Sequence, residues 1–189
     1  ALEDIAIMRA IPNLQILVPA DARATEEAVR LAIQTPGPFY IRMGREAMPL
    51  IYDEEDNFAV GRGKLIGDGS AATIITCGVM VASCLEARAE LAKEGIEVRV
   101  IDAFSIKPLD RDLVVAAAKQ TGGIVTVEEH NTLGGLGGAV AEVASEAAPT
   151  RILRLGTRDR FGQSGKPKAL LEEYGLTVEA ICGAVKELL

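Results

Sequence analysis

Five short apolar runs, most of them rich in β-branched residues, recur along the chain: LQILVPAD (14–21), ATIITCG (72–78), EVRVIDA (97–103), GGIVTVEEH (122–130) and RILRLGT (151–157). Between most of them lie Ala-rich stretches with helical spacing. This alternation is the tightest constraint the sequence imposes. A run without a polar face reads as a strand buried on both sides. Strands separated by helices are joined by crossovers, which makes their sheet mostly parallel and covers it with helices. Aromatic residues are only 4% of the chain, against 49% hydrophobic, and there is no Trp, so the core must be built from Ala, Val, Ile and Leu. The fold class expected is therefore α/β.

The punctuation divides the chain unequally. Leu2, Ile5, Ala6 and Met8 have helical spacing, and Ile11-Pro12-Asn13 ends that helix. Asp21 is placed to cap a helix over ARATEEAVRLAIQT (22–35), which stops at Pro36-Gly37-Pro38; FYIRM (39–43) is the next strand. Residues 1–45 hold too few strands to close a sheet and read as the tail of a larger domain. Residues 46–59 lie in a charged, aperiodic stretch that reads as a linker crossing an exposed surface. The unit 60–189 opens with an edge strand in GRGKLIGDGS, turning at Gly67-Asp68-Gly69. Helices are expected over 79–95, 111–121, 134–148, 168–175 and 177–189, the last capped by Thr177.

The net charge of −7 argues against nucleic acid or an anionic membrane as partner, while leaving room for a local basic pocket that binds a phosphorylated small molecule. Cys77, Cys84 and Cys182 sit in apolar contexts with no metal-ligand spacing, and read as three reduced, buried thiols in a reducing compartment. No apolar run approaches the ~20 residues of a membrane span, and the amino terminus lacks the pattern of a signal peptide. A cytoplasmic location is expected.

Three stretches are candidates for function. VTVEEHNTLGGLGGAVAEV (125–143) brings two carboxylates, the single His and four glycines to a strand end, where ligands bind in open α/β sheets. Its glycines either open a helix toward an anion or let the helix pack closely on the sheet; the dinucleotide fingerprint fails at Val140. Glu128 and Glu129 are adjacent on a strand and point to opposite faces, so they are no acid/base pair. His130 is either a general base or a hydrogen-bonded strand end. In YIRMGRE (40–46), Arg42 and Arg45 leave a strand end, where guanidiniums either hold a phosphate or solvate an acidic linker. RDRFGQSGKPK (158–168) is basic and Gly-rich but resembles no Walker loop.

The succession LEDIAIMRAIPNLQILVPADA, GPFYIRMGR, KLIGDGSAATIITCG, VTVEEHNTLGGLGGAVAEV and FGQSGKPKALLEEYGLTVEAI resembles the carboxyl-terminal part of a transketolase, over essentially all 189 residues. RAIPN with PADA is shared with deoxyxylulose-phosphate synthase and the beta subunits of 2-oxoacid dehydrogenases; the FG-S-G ending followed by YGLT is more particular to transketolases. The resemblance implies a three-layer α/β/α domain over 60–189, with a mostly parallel sheet of about five strands, preceded over 1–45 by the end of a pyrimidine-binding domain. It implies two-carbon ketol transfer between phosphorylated sugars, with thiamine diphosphate and Mg bound mainly outside this chain, by an N-terminal domain or subunit. The family's activating glutamate, its ring-stacking aromatics and its Asp and His motif lie upstream of the LEDIA helix, so no catalytic residue is expected here. Arg45 matches the arginine that binds the sugar phosphate, although Glu46 stands where the family has a neutral residue; Arg42 is the second choice. A homodimer or hetero-oligomer is expected. Three readings compete: a Rossmann-like regulatory module binding a nucleotide or other anion at Gly134–Gly138, the matching part of deoxyxylulose-phosphate synthase, and an assembly scaffold that dimerises through exposed apolar surface.

Overall fold

The computed structural model describes residues 1–189. The chain opens with helix α1 (Asp4–Arg9), strand β1 (Gln15–Leu17), helix α2 (Ala22–Gln34) and strand β2 (Phe39–Ile41). Asp21 caps α2 through Oδ1, which accepts from the Ala24 amide at 2.8 Å. Beyond the aperiodic segment come β3 (Lys64–Gly67), β4 (Ala72–Thr76), α3 (Met80–Lys93), β5 (Val98–Asp102), β6 (Ser105–Lys107), α4 (Arg111–Gln120), β7 (Ile124–Asn131), α5 (Leu136–Ala147), β8 (Ile152–Thr157), α6 (Pro167–Glu173) and α7 (Val178–Leu188). Thr177 caps α7 as its position predicts.

The larger sheet runs β3-β5-β4-β7-β8, with β3 antiparallel at one edge and the other strands parallel. Alternation along the strands splits their apolar side chains between two cores. On one face Ile74, Val98, Val100, Val125 and Val127 meet α3 and α7 through Met80, Cys84, Leu91, Ile181 and Val185. On the other Ile75, Ile101 and Ile124 meet α4 and α5 through Val114, Ala117, Val140 and Val143. This is the three-layer α/β/α arrangement. No helix is long and apolar enough to cross a membrane.

The first unit is not separate. β1 and β2 pair in parallel, and their sheet is completed by β6, antiparallel to β1. The third strand thus comes from the second unit, immediately after β5. Ile5, Ile16 and Val18 are buried in the same cluster as Ile75, Ile101 and Val140. The intervening segment is also not a bare exposed linker. Asp21 Oδ2 accepts from the amides of Ile51 (2.7 Å) and Tyr52 (2.9 Å). Tyr52 is buried, and its hydroxyl donates to Asp102 Oδ2 at 2.8 Å. Phe58 packs edge-on against Tyr52 and tilts against Phe104. The segment is a strap, fixed at its middle to the α2 cap and to the carboxyl end of β5.

Candidate functional site

At the carboxyl end of β7 the strand alternation sends Glu128 and His130 into the interior and leaves Glu129 half-exposed. The Glu128 carboxylate accepts from the amides of Leu136 (2.6 Å) and Gly137 (2.8 Å). Two of the free N–H groups that make a helix start attractive to anions are therefore taken by the chain's own carboxylate. Gly135 is explained by the same contact: a Cβ there would collide with Glu128 Oε2 and lie 2.6 Å from His130 Nδ1. Burial pushes the Glu128 pKa up to about 7, against the opposing pull of the two amide bonds. This overturns the reading of Gly134–Gly138 as a nucleotide or anion cradle.

His130 is buried as well, and burial lowers its pKa. Nδ1 lies 2.6 Å from the Asn131 carbonyl, which places the proton there. Nε2 is then free to accept from the Ala6 amide at 3.4 Å. With both nitrogens engaged and no exposed surface, His130 ties α1 to β7 and has no access to a substrate proton. Around it, Asn131 N donates to the Leu2 carbonyl, and Arg9 donates to the carbonyls of Gly134 and Gly135. The glycine-rich motif is the platform on which α1 docks.

Arg42 and Arg45, neighbours in the sequence motif, are separated by the structure in kind. Arg42 is largely buried: Nε donates to Asp4 Oδ2 at 2.9 Å, and Nη2 donates to the carbonyls of Ala1 (3.0 Å) and Glu129 (2.9 Å). Its Nη1 lies 3.5 Å from the Glu129 carboxylate. Burial opposes its charge, but Asp4 and Glu129 raise its pKa on balance. Arg45 is exposed just beyond β2, and no hydrogen bond or salt bridge engages it. The chain reaches it through Gly44, where a Cβ would come 2.7 Å from Val79 Cγ1 at the head of α3.

Asp4 carries no mark in the sequence. Burial alone would raise its pKa, but the Arg42 charge and hydrogen bonds from Tyr40 and Arg42 hold it below the usual carboxylate range. Tyr40 and Arg42 are two residues apart, on one face of the strand, and both donate to Asp4 Oδ2. That spacing is a legible signal; their acceptor, thirty-six residues upstream of Tyr40, is not.

The loop 158–168 is exposed throughout. Arg160 is occupied by Glu173 at 2.9 Å and stacks over Tyr174, whose hydroxyl donates to the Phe161 carbonyl. The cysteines are free; Cys77 and Cys84 are buried, Cys182 only partly. Burial raises Cys84 to about 12, far from thiolate reactivity. No three His, Cys, Asp or Glu side chains converge as a metal site. With the α5 amides taken by Glu128, the residues present do not fit a magnesium diphosphate.

These features define a three-layer α/β/α domain joined to a shorter α/β unit, with an unpaired arginine where the two meet. The family model for the transketolase C-terminal domain matches residues 61–181, and that for the transketolase pyrimidine-binding domain matches residues 1–50. The chain is 40% identical over 189 residues to a subunit of the apulose-4-phosphate transketolase of Phocaeicola vulgatus, covering 99% of this chain and 60% of that protein. It is 39% identical over 192 residues to human transketolase, covering 100% of this chain and 31% of that one. A solved split-gene transketolase, described as an inactive beta4 tetramer, superposes with a TM-score of 0.97 at 47% identity, over 100% of this chain and 62% of that chain. The chain belongs to the transketolase family and corresponds to its C-terminal section. It spans less than two thirds of the length of these relatives.

Proposed function

We propose that this chain contributes substrate-phosphate binding and assembly to a transketolase that moves a two-carbon ketol unit between phosphorylated sugars. Residues 1–45 are the end of its pyrimidine-binding domain, 46–59 the strap, and 60–189 the C-terminal domain. Thiamine diphosphate, with Mg, supplies the carbanion chemistry and is held mainly by an N-terminal domain or subunit. The names of the relatives, one a transketolase subunit and one a split-gene product, support a partner of that kind within a homodimer or hetero-oligomer. Free cysteines and the absence of a membrane-length helix are compatible with a cytoplasmic site of action. The pentose phosphate pathway is one setting for this reaction; apulose-4-phosphate in the name of one relative points to another.

The observation carrying this reading is the contrast between the two arginines. Arg42 has Nε and Nη2 bonded inside the chain and Nη1 facing the Glu129 carboxylate, whereas Arg45 offers a complete guanidinium fork at a strand end. Such a fork matches a phosphate bidentately. Because the phosphate does not react, Arg45 acts mainly on substrate affinity. In the assembled enzyme, Arg45→Ala is expected to raise KM for phosphorylated sugars by roughly 10- to 100-fold, the loss of one charge-assisted contact. KM for unphosphorylated sugars should move far less. Steady-state kinetics with matched pairs of sugars decides it; equal effects on both classes would remove the phosphate role.

A further inference from the structure

We propose that Asp4 and Glu129 are positioning residues for Arg45, acting through Arg42; this rests on the phosphate reading of Arg45. The end of β2 is held at two points before the chain reaches residue 45. Arg42 is the first. Its Nε is bonded to Asp4 on α1, and its Nη atoms face the carbonyl and carboxylate of Glu129 on β7. Tyr40 adds a second bond from the same strand face to Asp4, at 2.8 Å. Gly44, where the backbone leaves no room for a side chain beside Val79, is the second. A flexible arginine binds a phosphate well only if its stem starts from a fixed place, since any backbone freedom left there must be lost on binding.

The same contacts decide which arginine meets the ligand. Two carboxylates face Arg42, and its side chain is only 15% exposed. Its charge is compensated and its Nε and Nη2 are bonded within the chain, so a sugar phosphate arriving at this surface is drawn to Arg45. Asp4 also keeps one oxygen, Oδ1, buried without a hydrogen-bond partner, 4.0 Å from His130 Nε2.

The test uses the enzyme assembled with its N-terminal part. Asp4→Asn preserves the shape and keeps an oxygen for Tyr40 and Arg42, but removes the charge that confines Arg42. It is expected to raise KM for phosphorylated sugars about three- to tenfold, with kcat and KM for unphosphorylated sugars changed less than about twofold. Glu129→Gln, which leaves the main-chain acceptor intact, should act in the same direction and more weakly. In an Arg45→Ala background the Asp4→Asn effect on KM should disappear, because the group being positioned is gone. Unchanged or lower KM in both variants would overturn the proposal, the latter because a released Arg42 had itself become a phosphate ligand. An equal loss of kcat on both sugar classes would also overturn it, as the mark of a merely structural role. If Arg45→Ala alone shows no selectivity, the phosphate reading falls and the positioning role falls with it.

Discussion

Glu128 shows how one side chain can settle the meaning of a motif. Adjacent glutamates, a histidine and a glycine-rich helix start look like chemistry, yet the carboxylate closes the helix start from within. Its pKa is about 7 in the fold against 4.5 for the free group, so between those values the folded chain binds more protons than the unfolded one. Stability contributed through Glu128 is therefore greatest below about pH 4.5, falls as pH rises to about 7, and is level above. Asp102, also raised to about 7 by burial, has the same sign. Glu128→Gln should flatten part of that slope in urea titrations run from pH 5 to 8. Glu128→Ala should cost about 2–4 kcal/mol, having left two buried amides without an acceptor. The opposite facing of Glu128 and Glu129 is legible from alternation alone. The capping bond is not, because no local rule says that a strand residue will meet a helix start eight positions on.

Among the elements, strands and helices of the second unit are readable because β-branched apolar runs and Gly or Asp punctuation agree at each boundary. β6 is not. It is three residues long, followed at once by Pro108, and exists because β1 offers it a partner, which is tertiary information. The strap misleads for a related reason: its charged, aperiodic sequence conceals two packed aromatics, Tyr52 and Phe58. Tyr52 gives Asp102 the single hydrogen bond its carboxyl receives, since Oδ1 has none. Tyr52→Phe should destabilise the chain by about 1–3 kcal/mol and open residues 46–59 to proteolysis, read by mass mapping of the first cleavage products. Asp102→Asn should lessen the loss of stability as pH rises from about 3.8 to about 7, because an amide in that place carries no charge to bury.

At the scale of the molecule, the two sequence units share one interior. The cluster holding Ile5, Ile16 and Val18 also holds Ile75, Ile101 and Ile124, and the smaller sheet is closed by β6. Calorimetry should therefore show a single transition whose calorimetric and van't Hoff enthalpies agree, rather than a separate melting of residues 1–45. The loan of β6 across the unit boundary also limits how such a polypeptide can be divided between genes. A break inside the strap would yield two products, each lacking strands or helices the other carries, that must find one another before the smaller sheet is complete.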